Sequence, residues 1–178
     1  AMDMLSFSKE RKPKLEAADL NQIVADIEEV LQTRAQEAGV RLQVIAEQGI
    51  PQLLLDVQAI HRACLNVVGN AIDACSEQDG GDVTVTTEID TVERQARVIV
   101  KDNGPGIPEA ELQAVFSLFR SAKGSQGTGL GLPVSQKLLR EHGGDVLVES
   151  ELGKGSCFVL QWPLSPVSPG HGTDTQAS

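Results

Sequence analysis

With 178 residues the chain is long enough for one core and short for two, and 25 acidic against 15 basic side chains give a formal charge of -10. That balance argues against nucleic acid or an anionic membrane surface as a partner, so any anion must be bound locally. Cys64, Cys75 and Cys157 are odd in number and lack C-x-x-C spacing, and only His61, His142 and His171 complement them, which argues against a disulfide framework or zinc site. No apolar run approaches the roughly 20 residues of a membrane span, and the N-terminus has no secretion-signal layout, so a cytoplasmic location is expected. The opening Ala1-Met2 reads as an expression remnant and the chain as a piece of a longer protein.

Residues 1–18 mix charge, Pro13 and scattered apolar positions, and read as a linker or the end of an upstream helix. From Asp19 the texture changes. Asp19-Leu20-Asn21-Gln22 fits a capping box, and Ile23, Ile27, Val30, Leu31, Ala35 and Ala38 follow at helical spacing until Gly39 stops them. Val40 to Ala46 and Leu53 to Leu55 are strand-like. A second helix is predicted from about Asp56 to Ser76, closed by Asp79-Gly80-Gly81. Val83, Val85 and Ile89 alternate with Thr84, Thr86 and Glu88, and Ala96 to Lys101 forms a second extended run. A glycine-rich middle, 103–131, leads into a helix ending at Gly143-Gly144, then Val146 to Glu149 and Ser156 to Trp162 form a hairpin. The Ser-, Pro- and Gly-rich tail from Ser165 is expected to be disordered. The pattern predicts an α+β fold, a two-layer sandwich of about five mainly antiparallel strands with about three helices on one face, spanning 19–164.

The second helix is apolar around most of its circumference, through Ile60, Ala63, Cys64, Leu65, Val67, Val68, Ala71, Ile72 and Ala74. Yet Asn66, Asn70 and Asp73 recur at i, i+4 and i+7, on one stripe. A buried amide or carboxylate without a partner costs about 1–3 kcal/mol, so the stripe is either an internal hydrogen-bond network or the wall of a polar ligand such as hydrated Mg²⁺. Asp102-Asn103-Gly104-Pro105-Gly106-Ile107-Pro108 follows a strand directly, as a turn or as backbone approaching a flat ring. Gly127-Thr128-Gly129-Leu130-Gly131-Leu132 opens the next helix, where free N–H groups suit a phosphate. It fits neither G-x-G-x-x-G nor a P-loop. Gly153-Lys154-Gly155-Ser156 enters the last strand.

In this order the segments resemble the GHKL superfamily over about residues 56–163: an N box at Asn66 to Ala74, a first glycine box at Asp102 to Gly106, an F box at Phe116-Ser117-Leu118-Phe119, a second glycine box at Gly127 to Leu132 and a third at Gly153 to Ser156. The resemblance implies the Bergerat fold. It leaves open hydrolysing machines such as DNA gyrase, MutL and heat-shock chaperones, and kinases acting on histidine. Hydrolysing members carry a general-base Glu four residues before the principal Asn, where this chain has Asn66, and an amide cannot take that proton. Together with the F box and the nearby Lys123, this implies the catalytic domain of a sensor histidine kinase, similar to the nitrogen-regulation type. An ATP-hydrolysing module, an anti-sigma-type serine kinase and a degenerate ATP-binding module are the alternatives.

The resemblance implies ATP and Mg²⁺ as ligands. Asp102 would accept the adenine amine with Ser156 helping through water, beside Gly104, Gly106 and an apolar wall of Ile107 and Leu132. Asn70 and then Asn66 would hold Mg²⁺. Lys123 with Gly127, Thr128, Gly129, Leu130 and Gly131 would hold the phosphates, under a lid over about 108–126 that includes Phe119. Many histidine kinases have Lys or Arg where Asp73 stands, which shifts the expected phosphate contact towards Lys123. None of the three histidines resembles a phosphoacceptor. The acceptor is expected on an upstream dimerisation domain, with a response regulator served indirectly, the fragment monomeric and its parent a homodimer.

Overall fold

The computed structural model describes residues 12–116 and 131–167. In chain order these form β1 (Glu16–Ala18), α1 (Leu20–Glu37), β2 (Val40–Ile45), β3 (Leu53–Leu55), α2 (Val57–Cys75), β4 (Gly81–Asp90), β5 (Gln95–Asp102), a short α3 (Glu109–Leu112), α4 (Gly131–Glu141), β6 (Asp145–Glu151) and β7 (Gly155–Pro163). Five strands make one sheet in the order β2-β4-β5-β7-β6, with β2 and β4 parallel and every other pair antiparallel. Long helices cover one face of it, as expected for the α+β sandwich.

Strict alternation along the central strands builds that face. Val98 and Val100 of β5 and Phe158, Leu160 and Trp162 of β7 are buried beneath α2 and α4, whereas Lys101, Leu147 and Glu149 point to solvent. Burial follows the hydrophobic pattern because each buried aliphatic side chain contributes about 1.5–3 kcal/mol. In α1 the buried arc runs through Leu20, Ile23, Val24, Ile27, Leu31 and Ala35. Val30, assigned to that face from spacing, falls just outside the arc and is exposed. The capping box is also only half formed: Asp19 accepts from the Asn21 N–H, but Gln22 turns along the helix to Asp26 rather than back to the cap. Gly39, at φ 71°, ends the helix.

Paired backbone extends on both sides of residues 19–164. Glu16–Ala18 pairs antiparallel with β3. At the other end Ser165 accepts from the Leu54 N–H and Val167 donates to the Gln52 carbonyl, so 165–167 begin as paired backbone. A three-residue strand at a sheet edge has unpaired donors and acceptors that any extended neighbour can satisfy, and composition does not report that pairing. Beyond residue 167 the expected tail lies outside the described residues.

Candidate functional site

The polar stripe on α2 is split by its neighbours. Asn66 donates through Nδ2 to the Gly131 carbonyl at the start of α4, 3.3 Å away, and a Cβ placed on Gly131 would lie 3.8–3.9 Å from the Asn66 and Asn70 amide groups. Ser135 fixes the same junction, donating to the Gly131 and Ala63 carbonyls. Asp73 does not join them. Its two carboxylate oxygens accept from Arg34 Nη2 of α1 at 2.7 and 2.6 Å. Three residues at i, i+4 and i+7 drift across about 60° of arc, enough for different helices to claim the two margins. The expectation that all three face one object is therefore corrected to Asn66 and Asn70 facing α4, with Ala74 next on their side.

Ala74 leads to the second half of the site. A Cβ on Gly104 would stand 3.1 Å from the Ala74 carbonyl and 3.0 Å from Asp102 Oδ1, so the loop after β5 lies against the last turn of α2 with no room for a side chain. Asn103 closes the other side of that turn, accepting from the Asp82 N–H at 2.7 Å and donating to the Gly80 carbonyl at 2.9 Å. From Asn66 to Ala74 the helix rises about 12 Å. One end of this wall meets the N-terminus of α4; the other meets Asp102.

Asp102 is 5% exposed, and its Oδ1 accepts the Gly104 N–H at 2.9 Å and the Ser156 N–H at 3.3 Å. Oδ2 has no protein donor among the described residues. Burial raises the Asp102 pKa above the ordinary 3.8, and the two backbone N–H groups oppose that rise. The result is a carboxylate anchored on one oxygen and available on the other.

A chain of hydroxyls extends from there. Ser156 Oγ lies 2.8 Å from Ser150 Oγ, which accepts the Ile107 N–H at 2.7 Å and lies 3.1 Å from the Gly155 carbonyl. Ser150 thus joins the first and third glycine segments, which are also tied by the Gly153 N–H to the Pro105 carbonyl at 2.7 Å. Gly106, at φ 79°, and Gly155, at φ 118°, are required by contact as well as torsion: a Cβ would strike the Glu151 and Asp102 carbonyl oxygens respectively. Ile107 and Leu132 are half-buried against the core, and Phe116 packs edge-on to Phe158 at 6.5 Å. Sequence reasoning missed Ser150. Its signal was present, since in a hairpin turning at 152–154 it falls opposite Ser156.

Among the predicted residues Phe119, Lys123, Gly127, Thr128, Gly129 and Leu130 lie outside the described residues. His142 bridges elements, with Nδ1 donating to the Leu138 carbonyl and Nε2 accepting the Asp56 N–H. Among the described residues no cluster of three His, Cys, Asp or Glu could hold a metal, so any cation here must draw on amide oxygens and its ligand. With Asn66 Nδ2 committed to Gly131, its Oδ1 is the atom that would be left for a hard, oxygen-preferring cation such as Mg²⁺. No described helix is long and apolar enough to cross a membrane.

Residues 55–166 match the family model described as histidine kinase-, DNA gyrase B-, and HSP90-like ATPase. The sensor histidine kinase TmoS of Ectopseudomonas mendocina is 32% identical over 90% of this chain, which spans 16% of that protein. Full-length ShkA in complex with AMPPNP superposes with a TM-score of 0.83 at 26% identity, over 93% of this chain and 35% of its own. Histidine kinase ThkA in complex with the response regulator TrrA superposes with a TM-score of 0.75 at 26% identity, over 93% of this chain and 46% of its own.

Proposed function

This chain belongs to the histidine kinase-, DNA gyrase B-, and HSP90-like ATPase family, as an ATP-binding catalytic domain of the sensor histidine kinase kind, and we propose that it passes the ATP γ-phosphoryl group to a histidine on dimerisation helices outside the sequence. The carrying observation is the single wall of α2, with an acceptor carboxylate at one end and amides at a helix N-terminus at the other. Asp102 Oδ2 takes the adenine amine, and Ser156 holds a water beside the ring. Asn70 and Asn66 offer oxygens to Mg²⁺, which when bound neutralises phosphate charge and orients the terminal group. Catalysis is then positioning and electrostatics, because an imidazole nitrogen is already nucleophilic and needs only in-line geometry. Asn66, occupying the position of a general base, cannot activate water, which favours transfer over hydrolysis.

The AMPPNP held by ShkA supports the nucleotide, and the ThkA–TrrA pairing supports a response regulator as downstream partner. Free thiols at Cys64, Cys75 and Cys157 suit a reducing, cytoplasmic setting for this domain. The Asn70-Ala71-Ile72-Asp73-Ala74 run supports the nitrogen-regulation-like subgroup. The test supplies histidine-bearing dimerisation helices in trans with Mg-ATP. Acid-labile phosphate on those helices, with negligible steady-state hydrolysis by this chain alone, is the expected result; rapid hydrolysis overturns it in favour of the ATPase branch, and acid-stable phosphoserine on a partner in favour of a serine kinase.

A further inference from the structure

Asp73 is the one member of the α2 stripe that the proposed chemistry leaves unused, and its surroundings are unusual for a structural ion pair. Arg34 spends a single nitrogen, Nη2, on both carboxylate oxygens, and among the described residues neither Nη1 nor Nε has an acceptor. A structural Arg–carboxylate pair more often engages two nitrogens in a fork. The guanidinium also lies on the helix itself: a Cβ on Gly69 would be 3.0 Å from Nη1. Glycine is a poor residue in the middle of a helix, and Gly69 is buried there, one turn before Asp73. Gly69 and Asp73 together form a seat, the first by leaving space and the second by charge.

The seat is level with the anion end of the wall. Gly69 is the neighbour of Asn70, offset by one 1.5 Å rise and about 100° of arc, and Asn70 with Asn66 faces the first residue of α4. A bare carboxylate at position 73, on the arc between Gly69 and Asn66, would repel a polyphosphate held there. Paired with Arg34 it is neutralised, and the guanidinium side chain, 48% exposed, keeps donors to spare.

We propose that Arg34, carried on α1 and seated by Gly69 and Asp73, is a phosphate-binding residue for the terminal phosphates of the nucleotide, with Asp73 as its positioning residue. The proposal rests on the ATP-binding reading. It differs from a simple brace between α1 and α2 in requiring a cation at this spot rather than a tie between helices.

Calorimetry with Mg-ATP and with AMP on the full chain tests it. Arg34→Ala should weaken ATP binding tenfold or more while AMP stays within twofold. Adding Asp73→Lys to Arg34→Ala puts a cation on the same arc without any inter-helix pair, and should restore ATP binding to within about threefold of the parent chain. Should Arg34→Ala unfold, Arg34→Gln with Asp73→Asn removes both charges together and should show the same selective loss of ATP. A parallel fall for ATP and AMP, or no rescue by lysine at 73, overturns the proposal in favour of a structural brace. Loss of phosphotransfer with an unchanged ATP-to-AMP ratio overturns it in favour of a docking contact for the acceptor helix. If the unaltered chain binds neither AMP nor ATP, the underlying nucleotide reading fails and this inference with it, whereas equal binding of the two overturns this inference alone.

Discussion

Replacing Asp102 with asparagine isolates the atom proposed to recognise the base. The substitution keeps Oδ1, which accepts the Gly104 and Ser156 N–H groups, and converts Oδ2, which has no protein donor among the described residues, into an amide NH₂. A donor then faces the adenine amine, itself a donor. The loss is one charge-assisted hydrogen bond, about 1.5–3 kcal/mol, so ATP affinity should fall roughly 10- to 150-fold. Folding should not suffer. Because burial raises the Asp102 pKa above 3.8, this group favours the folded state below the ordinary value and loses that contribution as pH rises through its folded value. At neutral pH asparagine therefore removes a penalty, and the nucleotide-free variant should melt no lower than the parent. The same shift makes parental ATP affinity decline in acid from a higher pH than an ordinary carboxylate would, whereas the asparagine variant should show no such decline from this position. Titration calorimetry and thermal melts across pH read all three quantities. Unchanged affinity at pH 7 would remove adenine recognition from Asp102, and a large fall in melting temperature would mean that the carboxylate is structural.

Ser150→Ala deletes the acceptor of the Ile107 N–H and the partner of the Ser156 hydroxyl; a loss of about 0.5–1.5 kcal/mol in ATP binding, roughly 2- to 10-fold, is expected, with Ser150→Thr nearer the parent. Gly155→Ala places a Cβ against the Asp102 carbonyl at φ 118° and should destabilise the fold by about 1–3 kcal/mol, read by denaturant melts, while a neutral result would show that the hairpin can shift. Burial pushes the Cys64 thiol up to about 12, so a thiol reagent at pH 8 should label it only at the rate of global unfolding, and fast labelling in the native state would contradict its placement in the core.

Much of this molecule is legible without coordinates because its signals are local. The period-2 burial of β4, β5 and β7, the cap at Asp19 and the stop at Gly39 all follow from side-chain alternation and backbone freedom within a few residues. The placement of the candidate residues was legible for the same reason: Asp102 closes a strand, and Asn66 and Asn70 share a helix face. Thr87 shows where pattern fails, since its place in the β4 alternation is buried but its hydroxyl is satisfied by Asn21 and Glu47, far away along the chain.

By itself the sequence determined the order of the glycine segments, the apolar faces and the presence of an amide rather than a carboxylate at position 66. Tertiary structure alone decided that Asp73 turns to Arg34 rather than to the amides, that Gly104 rests on Ala74 and that Ser150 links two loops. Helical periodicity places a side chain only to within tens of degrees, and which neighbour occupies that sector depends on how α1 and α4 pack on either side of α2, a relation held by contacts between segments distant in the chain.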